Sequence, residues 1–397
     1  MNKKSMLVLF VVLLLIAGTF ITSCAPKPAP APAPAPAPKP APAPAPSPAP
    51  APTPIPSPAP SPAPAPAPTT TPAQPPKVIQ WKGTSTWGLT LPLSKYGIVL
   101  WKEKMDKMSG GRIKLDLQDA GAIVPATEVF QGIRDGVLDF GSNTPAFQKG
   151  LYAAGDLFYT LPGGIFQLDD LVVWMYGGGG KELQQEMYGN NVFVLPLGLT
   201  PPEEVWTKKL VNKLEDMKGL KIRSAGLSME LWQKLGCSVV LLGGGDVVPS
   251  LQRGVIDAAE FCDVSMNLSL GLPEVCKYRF GPPVHMSNNV FQLMINPKAY
   301  QALPDDLKSI VEQAAYAATL EGYAKHWMDA QVADKKVREM GVTTTRLSLA
   351  DQATTRKLAF EILEEKSKAD SYFAKVWASQ KAFVDAHKPY FDLTKFD

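Results

Sequence analysis

The stretch from Ala25 to Pro76 cannot join a packed fold, because it consists mostly of alternating alanine and proline. Proline fixes φ and has no amide proton, so such a segment adopts an extended, polyproline-type conformation instead of contributing to a core. At about 3.1 Å per residue it would span about 150 Å when fully extended. We therefore predict a tether over residues 24–76 and a folded part over residues 77–397.

Residues 1–23 have the pattern of a bacterial secretion signal. Lys3 and Lys4 precede an apolar run over residues 6–21, which is too short to be interpreted safely as a membrane span. The run ends in ITSC, which resembles a lipobox and implies cleavage before Cys24 and attachment of lipid to its sulfur. A plain secretory signal with an incidental cysteine is the alternative. With the lipid anchor, the folded part would be held at the extracytoplasmic face of the cell membrane, in the periplasm or the cell wall space.

Composition limits what the folded part can be. It has roughly 320 residues, which is enough for two lobes. The net charge of the chain is +3 and no basic stripe stands out, so we do not expect nucleic acid as a partner. Beyond Cys24 the cysteines are Cys237, Cys262 and Cys276. An odd number does not make a disulfide framework, and although one bridge could form, we expect buried thiols.

Strand and helix patterns alternate along the folded part, which favours mostly parallel sheets covered by helices. The alternation runs through residues 77–200 and starts again in 201–288, which predicts two similar α/β lobes. In the segment 289–397, a strand over 289–296 should cross back to the first lobe. The rest of that segment should be helical, with one long helix between Pro304 and Gly341 and a second from Ser348 to about residue 386.

Within the second lobe, the stretch KIRSAG places Arg223 where a short strand over residues 220–222 enters a turn. Further on, we expect Asp246 to cap a helix and residues 255–261 to form a strand. An arginine side chain stays charged and carries five donors in a fixed geometry. It lies in solvent or faces an anion, and its planar fork matches a carboxylate through two parallel hydrogen bonds. A solvent-exposed arginine in a turn is the alternative for Arg223.

Two blocks resemble the solute-binding proteins of TRAP transporters, the tripartite ATP-independent periplasmic transporters. One is IVPATEVFQGIRDGVLDFG at residues 123–141, and the other runs from LEDMKGLKIRSAG to LQRGVIDAAEF at residues 214–261. The similarity spans residues 78–397. DAAEF and the YGGGG segment at 176–180 are most similar to the 2-oxoacid-binding branch of the family.

The resemblance implies an α/β, two-lobed fold like that of periplasmic binding proteins, with a ligand cleft between the lobes and long C-terminal helices. It also implies a receptor without enzymatic activity, which captures a small organic acid and delivers it to membrane permease subunits. A 2-oxoacid or 2-hydroxyacid with one carboxylate is the expected ligand. A homodimer is also compatible with the sequence.

The resemblance also implies roles for individual residues. The arginine that matches Arg223 makes the paired contact with the ligand carboxylate. A cation, Na⁺ or Ca²⁺, would be held by Glu260, by the main-chain carbonyl of Phe261, and by a side chain at Glu203. This chain departs from the branch there, because Phe261 replaces a tryptophan, Glu203 a glutamine, and Met286 an acidic residue. Two glutamates would favour a divalent ion; the alternative is that Glu260 only hydrogen-bonds the ligand or a main-chain amide.

Residues at predicted strand ends of the first lobe complete the candidate site, since ligands bind at that edge of open α/β sheets. Asn143 or Thr144 would donate to a ligand oxygen, Trp87 would form a lid, and Phe147 an aromatic wall. Purely structural turns are the alternative.

Two rival functions stay open: a hydrolase or lyase that uses Glu260 and Glu203 as acid and base, and a lipoprotein that senses a ligand for a membrane sensor.

Overall fold

The computed structural model describes residues 78–166, 168–287 and 289–394. The signal sequence, Cys24 and the tether predicted up to residue 76 lie outside these described residues. Every helix in the described part of the chain is too short or too polar to cross a lipid bilayer.

The strands, in chain order, are β1 (Ile79–Ser85), β2 (Ile113–Gln118), β3 (Phe140–Asn143), β4 (Phe193–Thr200), β5 (Val205–Thr207), β6 (Lys221–Arg223), β7 (Ser238–Val240), β8 (Ala258–Ala259), β9 (Tyr278–Gly281), β10 (Asn289–Ile295) and β11 (Thr343–Arg346). The α-helices are α1 (Pro92–Ser94), α2 (Leu100–Met108), α3 (Val129–Arg134), α4 (Leu168–Gly177), α5 (Gly180–Tyr188), α6 (Ser228–Lys234), α7 (Gly244–Gln252), α8 (Val264–Leu270), α9 (Leu272–Val275), α10 (Pro297–Gln301), α11 (Asp305–Glu339), α12 (Leu349–Ala369) and α13 (Ser371–Thr394).

The first lobe is built on a five-stranded sheet with the order β2-β1-β3-β10-β4. β1 pairs in parallel with β2 and β3, whereas β10 runs antiparallel between β3 and β4. Both β4 and β10 are almost entirely buried, which explains why most of their residues are apolar. The predicted crossing of residues 289–296 back to the first lobe is confirmed.

The second lobe is built on a six-stranded sheet with the order β11-β9-β5-β8-β6-β7. β6 pairs in parallel with β7 and β8, and β5 runs antiparallel between β8 and β9. Each sheet thus receives one antiparallel strand at the point where the chain passes from the other lobe. The two-lobed α/β fold expected from the alternating pattern is confirmed.

Helix α11 connects the two lobes along their length. Its 35 residues span about 50 Å at 1.5 Å per residue. Ala314 and Ala318 pack into the core of the first lobe, and Ala333 and Val337 pack into the core of the second. At Gly322 a side chain has no room, because a Cβ there would lie 1.9 Å from the carbonyl oxygen of Tyr96. The small residue allows α11 to lie directly against the π-helical turn that joins α1 to α2.

Some element predictions need correction. Helix α7 begins after Gly243, and Asp246 lies within its first turn instead of capping it. The strand expected over 255–261 is limited to β8, because residue 255 still bonds to the preceding helix through the Ser250 carbonyl. The helix predicted from Ser348 starts there with a capping box, as expected, but is interrupted at Asp370. Asp370 has an extended backbone, and its carboxylate accepts from the amide of Phe373 at the start of α13.

Strand β11 was missed in the C-terminal segment, which was expected to be helical. It pairs in parallel with β9 and so returns the chain to the second sheet after α11. Its sequence, TTTR, contains three β-branched residues, and this is a signal for a strand. The cysteines behave as expected, since Cys237, Cys262 and Cys276 are all buried free thiols.

Candidate functional site

A cavity of about 450 Å³ is lined by residues from both lobes. On the first lobe, Thr144 directly follows β3 and Trp87 comes shortly after β1. On the second lobe, Arg223 ends β6 and Glu260 directly follows β8. These are carboxyl ends of parallel strands, where open α/β sheets bind their ligands. The cavity is therefore the candidate binding site.

The guanidinium of Arg223 is held by main-chain oxygens. Its Nε donates to the carbonyl of Leu242 at 3.1 Å, and its Nη1 donates to the carbonyl of Glu260 at 2.6 Å. The guanidinium carbon lies 4.7 Å from the centre of the Phe261 ring, a distance typical of a cation–π contact. Among the residues that the structure describes, Nη2 has no hydrogen-bond partner. The side chain is thus fixed in position and keeps donor capacity for a bound anion.

Glu203, Glu260 and His285 form a fully buried cluster next to Arg223. One ligand atom from each of the three lies within 4.8 Å of the others. Oε1 of Glu260 accepts from the amide of Ala225 at 2.8 Å and lies 3.6 Å from Nη1 of Arg223. Within the described chain, Oε2 of Glu203, Oε2 of Glu260 and both ring nitrogens of His285 lack hydrogen-bond partners. Buried polar atoms normally have hydrogen-bond partners, so the presence of these unpartnered atoms in one cluster needs an explanation.

Burial dominates the electrostatics of this cluster. Burial, and then the charge of Glu260, raise the pKa of Glu203 well above its usual range. Burial lowers the pKa of His285 to about 4, so that its imidazole is neutral at pH 7. The cluster therefore satisfies its charges in one of two ways: Glu203 keeps a proton, or a cation binds between the carboxylates.

The structure places most of the predicted site residues together. Those that line the cavity are Trp87, Thr144, Phe147, Arg223, Glu260 and Phe261. Glu203 is fully buried and belongs to the adjoining cluster. Asn143 is not among the lining residues, and its amide oxygen accepts from Gln292 at 2.7 Å in a buried polar network. A role for Asn143 in ligand contact thus finds no support in its position.

A row of aromatic rings lines the first-lobe side of the cavity, and only part of it was predicted. The ring centres of Tyr159 and Phe291 are 5.6 Å apart, those of Phe291 and Trp87 are 5.0 Å apart, and those of Trp87 and Phe147 are 6.2 Å apart. Burial, and then the charge of Glu203, raise the pKa of Tyr159 well above its usual range, so Tyr159 marks the end near the carboxylates. Phe291 lies on β10. Because both faces of this strand are buried, its sequence does not distinguish the residues that face the cavity from those that face the core.

A second buried cluster, Asp263, Ser265 and His326, attaches α11 to α8. Nε2 of His326 lies 2.8 Å from Oδ2 of Asp263 and 3.2 Å from Oγ of Ser265. A nucleophile relay uses opposite nitrogens of the ring for the serine and the aspartate. Because both contacts here involve the same nitrogen, this cluster has a structural role.

Comparison with known proteins identifies the type of site. The family of bacterial extracellular solute-binding proteins, family 7, matches residues 89–369. The chain belongs to this family. The two-lobed structure with its cavity between the sheets is therefore that of a TRAP solute-binding protein.

Several relatives of this solute-binding protein have known ligands. A monocarboxylate 2-oxoacid-binding periplasmic protein of Nostoc sp. is 28% identical over 309 residues, which cover 77% of this chain and 84% of the relative. A TRAP periplasmic solute-binding protein of Colwellia psychrerythraea, solved with bound calcium and pyruvate, is 26% identical, with a TM-score of 0.75 over 80% of this chain and 98% of the other. Its counterpart from Pseudoalteromonas atlantica, solved with bound sodium and pyruvate, is 26% identical. It has a TM-score of 0.75 and covers 80% of this chain and 97% of the other.

Asp156 is a further buried acid where the two lobes of the solute-binding protein meet. It is 1% exposed, and neither carboxylate oxygen has a hydrogen-bond partner among the described residues. It packs against Gly226, just beyond Arg223, where a Cβ would lie 3.1 Å from Oδ1 and the backbone φ is 61°. Burial raises the pKa of Asp156 to about 6.

This shift predicts how the stability of the protein depends on pH. An aspartate in the unfolded chain loses its proton near pH 4, whereas folded Asp156 keeps it up to about pH 6. The folded state therefore loses stability, on the order of 3 kcal/mol, as pH rises from about 4 to 6. In Asp156→Asn this loss should be absent, so the variant should gain stability relative to the parent across that window. Urea unfolding at several pH values measures it, with the exposed Asp385→Asn as control; parallel curves for parent and variant would contradict the assignment.

Proposed function

We propose that this protein captures a small monocarboxylate with a 2-oxo or 2-hydroxy group in the cavity between its lobes and delivers it to the permease of a TRAP transporter. One observation carries the proposal: a fixed arginine with free donor capacity lies beside buried carboxylates with unpartnered oxygens. The relatives with 2-oxoacid or pyruvate ligands support the same ligand class.

In this proposal Arg223 binds the ligand carboxylate. Its Nε and Nη1 are held by the Leu242 and Glu260 carbonyls, so the orientation of the guanidinium is set before the ligand arrives. Pre-organisation of this kind reduces the entropy lost on binding. The Phe261 ring on one side further restricts the guanidinium plane.

The Glu203–Glu260–His285 cluster fits a cation. Its unpartnered atoms are two carboxylate oxygens and the nitrogens of a neutral imidazole, and all three side chains are buried. The two carboxylates neutralise a divalent ion more completely than a single carboxylate would, and Ca²⁺ takes oxygen ligands of this kind, whereas a neutral imidazole is not one of its usual ligands. The main-chain carbonyl of Phe261 stays a predicted ligand. When bound, the cation would supply positive charge and open coordination positions for the carboxylate and 2-oxo oxygens of the ligand.

A binding role accounts for the geometry better than catalysis. Glu203 is 0% exposed and is not among the residues that line the cavity, so it is poorly placed to exchange protons with a substrate. The relatives described above are binding proteins, which supports a role without catalysis. A ligand that contacts both lobes stabilises the closed arrangement because those contacts exist together only when the lobes are closed.

We also propose that lipid on Cys24 anchors the protein to the extracytoplasmic face of the membrane, with residues 24–76 as the tether. Several acyl chains on one cysteine give a stable anchor, at about 0.8 kcal/mol per buried CH₂. Detergent partitioning tests this: Cys24→Ser should move the protein to the aqueous phase, and full retention with detergent would refute the anchor.

The arginine assignment predicts a loss of affinity in Arg223→Lys. An ammonium cannot reproduce the planar fork, and a hydrogen bond to a charged group contributes about 1.5–3 kcal/mol. Calorimetry with pyruvate should therefore show at least about tenfold weaker binding. The control is Arg253→Lys, which changes an exposed arginine of the same lobe outside the cavity. Equal affinity in the two variants would refute the carboxylate role.

The cation assignment predicts that pyruvate binding depends on metal. After chelation in sodium-free buffer, affinity should fall at least about tenfold and be restored by Ca²⁺. Glu260→Gln retains an oxygen for the Ala225 amide but removes the charge, so it should abolish most of the response to Ca²⁺. Full affinity of the parent protein in metal-free buffer would show that a proton on Glu203 balances the cluster instead.

A further inference from the structure

The cavity is larger than a three-carbon acid requires. At about 450 Å³ it lies in the range of roughly 300–1,000 Å³ that holds drug-sized ligands. Arg223 and Glu260 supply the charged groups at one end. Much of the remaining lining is apolar and includes Leu93, Phe147, Met229, Leu241, Leu242 and Phe291. An acid the size of pyruvate would occupy the charged end and leave this apolar surface without a ligand contact.

The aromatic row shows where the additional part of a ligand would lie. It begins at Tyr159, which is 6% exposed and close to the buried carboxylates, and it ends at Phe147, which is 40% exposed. From the other lobe, Leu241 also lines the cavity and is 55% exposed. A single exposed leucine needs no explanation, but Phe147 and Leu241 line the same cavity from different lobes. Both are far more exposed than Arg223 and Glu260, so they form a more accessible, apolar section of the lining.

A second carboxylate on the ligand is the competing possibility, because Lys149 also lines the cavity. However, Nζ of Lys149 lies 3.5 Å from Oε1 of Glu230, and the charge of Lys149 also acts on the Asp156 carboxyl. Nζ of Lys366 also lies 2.7 Å from Oε1 of Glu230, so the two lysines and the two acids balance one another and leave little net attraction for a ligand carboxylate. The lining thus favours an apolar group over an anionic one.

We propose that the natural ligand is a 2-oxo or 2-hydroxy monocarboxylate with an apolar tail longer than that of pyruvate, either aliphatic or aromatic. The tail would lie between the aromatic row and Leu241. This inference rests on the function proposed above and adds the chemical class of the side chain.

Calorimetry with a matched series of acids tests the tail. Binding of pyruvate, 2-oxobutanoate, 2-oxopentanoate and 2-oxohexanoate to the full chain in Ca²⁺ buffer is compared, with the diacid 2-oxoadipate as the charged counterpart of the last. A buried CH₂ contributes about 0.8 kcal/mol, which is up to about fourfold in affinity. We expect 2-oxohexanoate to bind at least about tenfold more tightly than pyruvate, and 2-oxoadipate to bind more weakly than 2-oxohexanoate.

Two variants locate the tail. Leu241→Ser should reduce the preference for 2-oxohexanoate over pyruvate at least about threefold, because part of the apolar contact is lost. Val255→Ser, which changes a valine of the same lobe that is 53% exposed and outside the cavity lining, should leave the preference unchanged. Equal loss of preference in both variants would show that the tail does not contact Leu241.

The outcomes separate this inference from the proposed function. Affinities that stay level or fall from pyruvate to 2-oxohexanoate would overturn the apolar tail and leave the 2-oxoacid receptor intact. Tighter binding of 2-oxoadipate than of 2-oxohexanoate would overturn it in favour of a second carboxylate at Lys149. If no acid of the series binds, the proposed function fails and the inference fails with it.

Discussion

Two carboxylates, Glu203 and Glu260, are buried side by side, and the rest of the site depends on how their charge is balanced. A buried charge is costly unless it is paired, and two like charges in one place cannot both persist without a positive partner. Arg223 provides one, with Nη1 3.6 Å from Oε1 of Glu260, but its closer bonds go to main-chain carbonyls. An oxygen of each carboxylate remains without a partner among the described residues, and Oε2 of Glu203 lies 3.8 Å from Nε2 of a neutral His285. A cation and an anionic ligand together would balance the cluster.

The fold brings this charged group to the boundary between the two lobes. Arg223 and Glu260 follow β6 and β8 of the second sheet, whereas Glu203 lies between β4 and β5, where the chain passes between lobes. Helix α11 packs into the cores of both lobes and so links them. A ligand can contact residues of both lobes at once only when the lobes are closed, which suits a receptor that must hold its ligand and then release it.

Much of the fold follows from the sequence, because alternating strands and helices have periodic apolar patterns that survive tertiary context. Buried β4 and β10 are mostly apolar, and the strand-end position of Arg223 indicates solvent or an anion as its partner, to which the family resemblance adds the carboxylate. Two features that the sequence analysis missed have local signals, namely the TTTR run of β11 and the Asp370 carboxylate that accepts from the Phe373 amide. The other missed features, including the pairing of β11 with β9, are decided by contacts between distant residues. The meeting of His285 with the two glutamates, and the engagement of Asn143 by Gln292, depend on how loops and strands of both lobes pack.

A crystal structure of the protein grown with pyruvate and Ca²⁺, with the ion identified by anomalous scattering, would show whether Arg223 and a cation hold the ligand. We expect the pyruvate carboxylate within hydrogen-bond distance of the Arg223 guanidinium, and the ion in contact with carboxylate oxygens of Glu260 and Glu203. The same crystals grown without metal should show weaker density for pyruvate. Pyruvate bound away from Arg223 would refute the role of the arginine, and full occupancy with no ion near Glu260 would refute the role of the cation.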